Sequence, residues 1–195
     1  EIMTIDQMIE WFDFDGMNKA AARFDYTKLE AINGHYIRNS DDEKLITAMM
    51  DILDSSEEFE IIKERLNYTS KAMLVRAMPA LKDRAKTVID LIEGSKFIFE
   101  SCPLIMEDKA VKLLDEDGLA AVRGIIPQLE SLTTWDADNI DKTIRTYVEE
   151  NSLKLGKVAQ PIRAALTGKA TSPGAFDVLY ILGKEESIIR LQDKI

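Results

Sequence analysis

Apolar residues recur along much of this chain at spacings of three and four, the period of a helix with one buried face. Between residues 140 and 148 the stripe consists of Ile140, Ile144, Tyr147 and Val148, with acidic and basic residues between them. The chain has 9 Gly and 5 Pro, a usage that fits long helices joined by short turns better than a strand-rich fold. We therefore predict an all-α protein.

The same period predicts a series of helices in the first two thirds of the chain. Phe14-Asp-Gly16 breaks the first of them. Predicted helices cover residues 3–12, 26–38, 57–66, 70–78, 81–93, 108–115 and 117–132, together with one that begins at Ser40. The order of these segments indicates a helical bundle.

Three local signals predict where helices begin or break. Ser40 and Glu43 have the spacing of a capping box, in which Ser40 is the N-cap. Pro79 predicts a break or kink, because proline removes one intrahelical hydrogen bond. Gly94-Ser95 is the first plausible domain boundary.

A basic segment in an otherwise acidic protein, residues 152–184, predicts a corner between two helices. It contains five basic residues and one acid, Asp177, within a chain of net charge −10. Pro161 suits a first helical turn and Gly168 suits a left-handed C-cap. Ser172-Pro173-Gly174 then predicts an N-cap followed by proline at the first helical position, and Gly183 ends the second helix.

This corner has two possible interpretations. The start of the second helix leaves backbone N–H groups beside Arg163 and Lys169, and such an end can bind an anion or the edge of a base. The alternative is a helix corner whose lysines only face solvent. The overall acidity opposes a nucleic-acid partner at long range, but a local basic surface can override that average.

Composition excludes several other functions. The lone cysteine, Cys102, cannot form an internal disulfide, and no signal segment or membrane-spanning apolar run occurs, so we expect a cytoplasmic protein. Cys102 and the lone His35 lie far apart in sequence and form no nucleophile motif. Cysteine and histidine are too few to form a metal site. We expect no catalytic residue and no metal.

Two sets of motifs resemble bacterial glutamyl-tRNA synthetases. The set in the basic segment matches the C-terminal part of the family, and the N-terminal set resembles the segment after the second catalytic motif. The motifs are Gln160-Pro161-Ile162-Arg163, Ala165-Leu166-Thr167-Gly168, Ser172-Pro173-Gly174, Leu182-Gly183-Lys184-Glu185 and Arg190, and, near the other end, Ala22-Arg23-Phe24-Asp25, Lys28-Leu29, Asn33 and Tyr36-Ile37. The order and spacing of the motifs match those of the family. The two sets together span nearly the whole chain.

The resemblance implies that the chain recognises the anticodon of a tRNA. By position, Gln160 and Arg163 would read bases through their side chains, and Ser172 and Pro173 would supply hydroxyl and backbone contacts. The next contact position of the family, often a larger apolar residue, is Ala175 here. The reader of the third anticodon base would be Arg84 or Lys86, and the sequence leaves both open, along with the possibility that both are ordinary surface cations.

The resemblance also implies an architecture of two small helical anticodon-binding subdomains preceded by a connector. We predict a connector at residues 1–39 and subdomains at 40–94 and 95–195, with Asn33-Gly34 inside a helix. The further residues expected to contact tRNA are Arg23, Lys28, Asn33, Tyr36, Lys154, Lys157 and Lys169.

Class I HIGH-type and KMSKS-type motifs are missing from the sequence. The chain would then be the part that follows the catalytic domain, and it would not aminoacylate tRNA alone. ATP and magnesium would belong to that domain and not to this chain.

We expect a monomer whose partner is the glutamate tRNA, with the glutamine tRNA left open. The rivals are an acidic helical protein-interaction module without RNA and a membrane-surface protein, the latter disfavoured because such helices are rich in Lys and Arg.

Overall fold

The computed structural model describes residues 2–17 and 23–195, and every regular element in this part of the chain is helical. A short 3-10 turn, Glu57–Phe59, precedes the fourth α-helix. The α-helices are Ile5–Trp11 (α1), Tyr26–Asn39 (α2), Asp42–Ser55 (α3), Glu60–Glu64 (α4), Tyr68–Lys82 (α5), Val88–Phe99 (α6), Asp108–Val111 (α7), Glu116–Ser131 (α8), Ala137–Glu150 (α9), Leu155–Thr167 (α10), Ala175–Leu182 (α11) and Lys184–Gln192 (α12). The prediction of an all-α fold is confirmed.

The helices form two packed groups that share one core. In the first group α3, α5 and α6 pack on one another, and in the second α8, α9, α11 and α12 surround α10. Helix α11 also packs on α5, where Nη2 of Arg76 donates to the carbonyl oxygen of Ile181 at 2.7 Å. Buried apolar side chains from Ile37 to Leu191 form one cluster across both groups.

A buried arginine joins the ends of three helices. Arg190 is 1% exposed, and its Nη1 donates to the carbonyl oxygens of Phe97 and Leu166, each at 2.8 Å. Its Nη2 donates to the carbonyl of Glu100 at 2.6 Å, and its Nε pairs with Glu186 at 2.7 Å. Since buried carbonyl groups and charges need partners, Arg190 holds the C-terminal ends of α6 and α10 against α12.

Two predicted helix starts are wrong because residues other than the predicted ones cap these helices. Asp41, not Ser40, caps α3, since its carboxylate accepts from the backbone N–H groups of Glu43 and Lys44, while the Ser40 hydroxyl donates back to the carbonyl of Tyr36. The helix predicted over residues 81–93 is divided after Lys82. A capping box formed by Thr87 and Asp90 starts α6 at Val88.

The break predicted at Pro79 and the first-turn position predicted for Pro161 are wrong, whereas a kink at Pro79 stays a prediction. Pro79 lies inside α5, where Ala77, Met78 and Leu81 are buried on both sides of it. Pro161 lies in the middle of α10 instead of in its first turn. In both helices the buried neighbours pack against other helices, which offsets the hydrogen bond that proline removes.

Glycine ends both helices of the predicted corner, as expected. Gly168 has a φ of 68° after α10, and Gly183 has a φ of 80° after α11.

The predicted N-cap at Ser172 is wrong: its hydroxyl donates to the carbonyl of Pro173 at 3.0 Å, and Gly174 occupies the N-cap position of α11. Helix α11 therefore begins without a side-chain cap.

The predicted domain division stays a prediction. Gly94 and Ser95 lie inside α6, so no turn separates the chain there. Asn33 and Gly34 lie inside α2, as the resemblance implied.

Candidate functional site

The two residues predicted to read bases lie in a cleft beside the start of α11. This α10–α11 cleft has a volume of about 310 Å³ and is lined on one side by Gln160 and Arg163 and on the other by Gly174, Ala175 and Asp177. Gln160 is exposed and Arg163 is half-buried. Helical spacing places both on neighbouring turns of α10, so this half of the site follows from local structure.

The polar groups of the α10–α11 cleft include donors and an acceptor. Nε of Arg163 is buried and has no hydrogen-bond partner within the described residues. The backbone at the start of α11 has no side-chain cap, so N–H groups stand at the same cleft. Asp177, in the first turn of α11, is an exposed carboxylate. This mixture suits a ligand with both donors and acceptors better than it suits a simple anion.

A second cleft joins two regions that the sequence keeps apart. This α5–α6 cleft, of about 260 Å³, is lined by Arg84 and residues of α5 and α6, and by Lys169, Ser172 and Pro173. Nη1 of Arg84 donates to the carbonyl oxygen of Ser172 at 2.7 Å, across 88 positions of sequence. Pro173 lines this cleft and Gly174 lines the α10–α11 cleft, so a single turn separates the two.

Lys86 lies outside both clefts and contacts the connector. Its Nζ is 2.8 Å from Oε2 of Glu30 in α2, and this hydrogen bond and ion pair raise the pKa of Lys86 above its ordinary value. Its carbonyl accepts from Nδ2 of Asn33 at 2.5 Å. Lys86 and Asn33 thus hold α2 against the segment before α6.

The other connector residues make their contacts within the connector itself. The hydroxyl of Tyr36 donates to the carbonyl of Met3 at 3.2 Å, and the backbone of Lys28 donates to Asp25, which caps α2. Arg23, Lys28 and Tyr36 are all exposed. Ala22, the first residue of the N-terminal motif, lies outside the described residues. A tRNA contact for these residues stays a prediction.

The basic residues in and beside α10 that are predicted to contact tRNA do not share one cleft. Lys157 lines a third cleft, the α8–α10 cleft, which lies between α8, α9, α10 and the segment after α7. Gln160 lines both this cleft and the α10–α11 cleft. Lys154 is exposed at the N-cap position of α10 and lines none of the three. Lys157, Arg163 and Lys169 therefore lie along three adjacent clefts.

Sequence reasoning missed two features of this surface. Lys112 and Tyr147 line the third cleft, but nothing in their local sequence distinguishes them from a surface lysine and a core tyrosine. Ala175, at the contact position where the family often has a larger apolar residue, is buried. No large side chain is therefore available there. Within the described ranges, no cluster of metal-binding side chains occurs, and no helix is long and apolar enough to cross a membrane.

Comparison with known proteins gives a consistent set of relatives. The model of a family described as "Anticodon binding domain" matches residues 38–195. Glutamate–tRNA ligase 1 of Brucella melitensis and glutamate–tRNA ligase 2 of Brucella ovis are each 52% identical over the whole chain. The chain spans 41% of the length of these two relatives.

Solved structures show the same relationship. A glutamate tRNA ligase from Elizabethkingia meningosepticum, crystallised in complex with its amino acid, superposes with a TM-score of 0.83 at 26% identity, covering 99% of this chain and 36% of that one. Glutamate-tRNA synthetase from Elizabethkingia anophelis gives a TM-score of 0.74 at 28% identity, covering 100% of this chain and 36% of that one.

Proposed function

The chain belongs to the anticodon binding domain family, and we propose that it recognises the tRNA anticodon as the C-terminal region of a bacterial glutamate–tRNA ligase. Its partner is the glutamate tRNA, which it meets in the cytoplasm as a monomer. The resemblance drawn from the Gln160-Pro161-Ile162-Arg163 and Ser172-Pro173-Gly174 motifs agrees with these relatives.

The observation that carries the proposal is the buried, unpaired Nε of Arg163, a residue that lines the α10–α11 cleft. A buried guanidinium N–H without a partner costs free energy unless a ligand supplies an acceptor. Arg163 offers that donor, Gln160 offers both a donor and an acceptor, and Asp177 accepts. Sequence-specific RNA recognition targets unpaired loop bases, whose edges carry this same mixture.

Arg84, rather than Lys86, is our candidate for the reader of the third anticodon base. Arg84 lies in the α5–α6 cleft next to Ser172 and Pro173, so one stretch of loop can contact both clefts. Lys86 is paired with Glu30 and lines neither cleft. A planar guanidinium also presents several fixed donors to a base, whereas an ammonium acts as a point charge.

The chemistry of the ligase belongs to another part of such an enzyme. The described residues contain no strand, so they lack the parallel sheet of a class I catalytic domain. We assign ATP and magnesium to that domain and expect this chain alone not to aminoacylate tRNA. The rival interpretation, an acidic interaction module without RNA, is not favoured, because family and fold both lead to tRNA ligases.

Binding of this chain to a glutamate tRNA transcript, and to one with a changed anticodon, tests the proposal. We expect wild type to prefer the correct anticodon, and Arg163→Ala to lose about 1 to 3 kcal/mol of that preference, by analogy with a good base contact in DNA. Titrations at two salt concentrations separate base contacts from phosphate contacts, which weaken steeply with salt.

Arg145→Ala is the matched control, because Arg145 is an exposed arginine that pairs with Asp141 on α9 and lines none of the three clefts described above. It should bind as wild type does. If wild type binds neither transcript at low salt, or binds both equally, anticodon recognition by this chain is wrong.

A further inference from the structure

The largest of the three clefts described above has no role in the function proposed above. This α8–α10 cleft has a volume of about 520 Å³, within the range of small-molecule sites. It lies between α8, α9, α10 and the segment after α7, and its polar lining includes Lys112, Asp117, Tyr147, Lys157 and Gln160.

The wall at α8 depends on a close backbone approach. A Cβ at Gly118 would lie 2.1 Å from the carbonyl oxygen of Leu113, so only glycine lets the segment after α7 lie against the start of α8. The Asp115 carboxylate accepts from the N–H of Gly118 at 2.8 Å and caps α8. This arrangement fixes Lys112 at the edge of the cleft and leaves Asp115 occupied.

The remaining groups present cations and hydroxyl-binding groups to the cleft. Within residues 2–17 and 23–195, neither Lys112 nor Lys157 forms an ion pair, and the Tyr147 hydroxyl has no protein hydrogen-bond partner. Tyr147 is 8% exposed, and burial raises the pKa of its hydroxyl, which therefore stays protonated at neutral pH. Asp117 is an exposed acceptor in the first turn of α8.

The cleft lies beside the α10–α11 cleft, and residues of α10 line both. Lys157, Gln160 and Arg163 follow one another at three-residue spacing, so their Cα positions span about 9 Å along the helix axis. Gln160 lines both clefts. This span is comparable to the separation of neighbouring nucleotides, so a single strand whose base enters the α10–α11 cleft can reach the α8–α10 cleft with its next nucleotide.

We propose that the α8–α10 cleft binds the ribose-phosphate of the nucleotide that adjoins the bases read by Gln160 and Arg163. Lys112 and Lys157 bind its phosphate, and the Tyr147 hydroxyl and Asp117 bind its ribose hydroxyl. The inference rests on the proposed function, and it adds a site that positions the loop instead of reading its sequence.

The first experiment compares Lys112→Ala with Lys109→Ala in binding of this chain to the glutamate tRNA transcript. Both lysines belong to or directly follow α7 and are exposed, but only Lys112 lines the cleft. We expect Lys112→Ala to weaken binding severalfold, to lower the salt slope of log K by about one, and to keep the anticodon preference. Lys109→Ala should match wild type.

A second experiment identifies the nucleotide. Neutral methylphosphonate groups replace the loop phosphates of the transcript one at a time. At one position the replacement should weaken wild type but not Lys112→Ala, because the same contact is already lost. A 2′-deoxy substitution at the same nucleotide should likewise weaken wild type more than Tyr147→Phe, a variant that keeps the ring packed.

The outcomes separate this proposal from the proposed function. If Arg163→Ala loses anticodon preference while Lys112→Ala binds like Lys109→Ala, the cleft binds no nucleotide and anticodon recognition stands. If every phosphate replacement weakens wild type and Lys112→Ala equally, the cleft proposal is also wrong. If wild type shows no anticodon preference, the proposed function itself fails.

Discussion

Helices α1 and α9 have similar apolar stripes in sequence but opposite environments in the fold. In α9, Ile140 and Ile144 are fully buried in the shared core. In α1 no residue is buried, and Ile9 is 71% exposed. Helical periodicity predicts a face, but it does not determine whether another element of the same chain covers that face.

Different interactions hold the two regions. Helix α1 is stabilised by a capping box between Thr4 and Gln7 and by the Tyr36 hydrogen bond to Met3. The helices after residue 108 are stabilised by buried apolar contacts and by Arg190, which joins three carbonyl groups and Glu186. Substitutions should therefore have much larger effects in the C-terminal region than in the N-terminal one.

The largest effect is expected for Arg190→Met. This change removes the partner of Glu186 and leaves the carbonyl groups of Phe97, Leu166 and Glu100 without their donor. A buried acceptor left without a donor costs about 1 to 3 kcal/mol, and three carbonyl groups lose their donor here. Urea unfolding followed by circular dichroism will measure the summed loss. Arg145→Met, at an exposed ion pair, should leave the midpoint unchanged. A loss below about 1 kcal/mol would show that Arg190 does not hold these helices.

Paired isoleucine substitutions compare the two stripes directly. Ile144→Ala creates a cavity in a fully buried site and should cost about 2 to 5 kcal/mol. Ile9→Ala removes a side chain that is mostly exposed, so its effect should stay within about 0.5 kcal/mol. Urea unfolding of both variants tests the comparison, and equal losses would mean that the α1 stripe is covered in solution.

The smallest predicted difference involves two glycines. At Gly168 a Cβ would lie 2.3 Å from the carbonyl oxygen of Ile105, and the φ of 68° disfavours any other residue, so Gly168→Ala should cost about 2 kcal/mol. Gly34 lies inside α2, and its nearest neighbour is the movable end of Arg38 at 3.3 Å. Gly34→Ala should therefore stabilise by up to about 1 kcal/mol. Thermal unfolding gives both signs, and a stable Gly168→Ala would contradict the role of the left-handed turn.

Half of the candidate site was accessible from local sequence. Gln160 and Arg163 lie on neighbouring turns of one helix, and glycine marks the ends of α10 and α11, so their placement depends on helical geometry. The choice between Arg84 and Lys86 was not accessible, because it depends on the hydrogen bond from Arg84 to Ser172 and the ion pair from Lys86 to Glu30. The α8–α10 cleft was missed because its residues come from three helices and from the segments between helices.

The sequence by itself determined the helical period, the glycine ends of α10 and α11, and the motifs that indicate the family, since these depend on backbone stereochemistry and on residues close together in the chain. Tertiary structure decided the rest. It extended α5 and α10 through Pro79 and Pro161, buried Arg190, left the stripe of α1 exposed and placed Arg84 beside Ser172. Each of these results depends on packing between distant segments, whose free energy outweighs the local preference of a single residue.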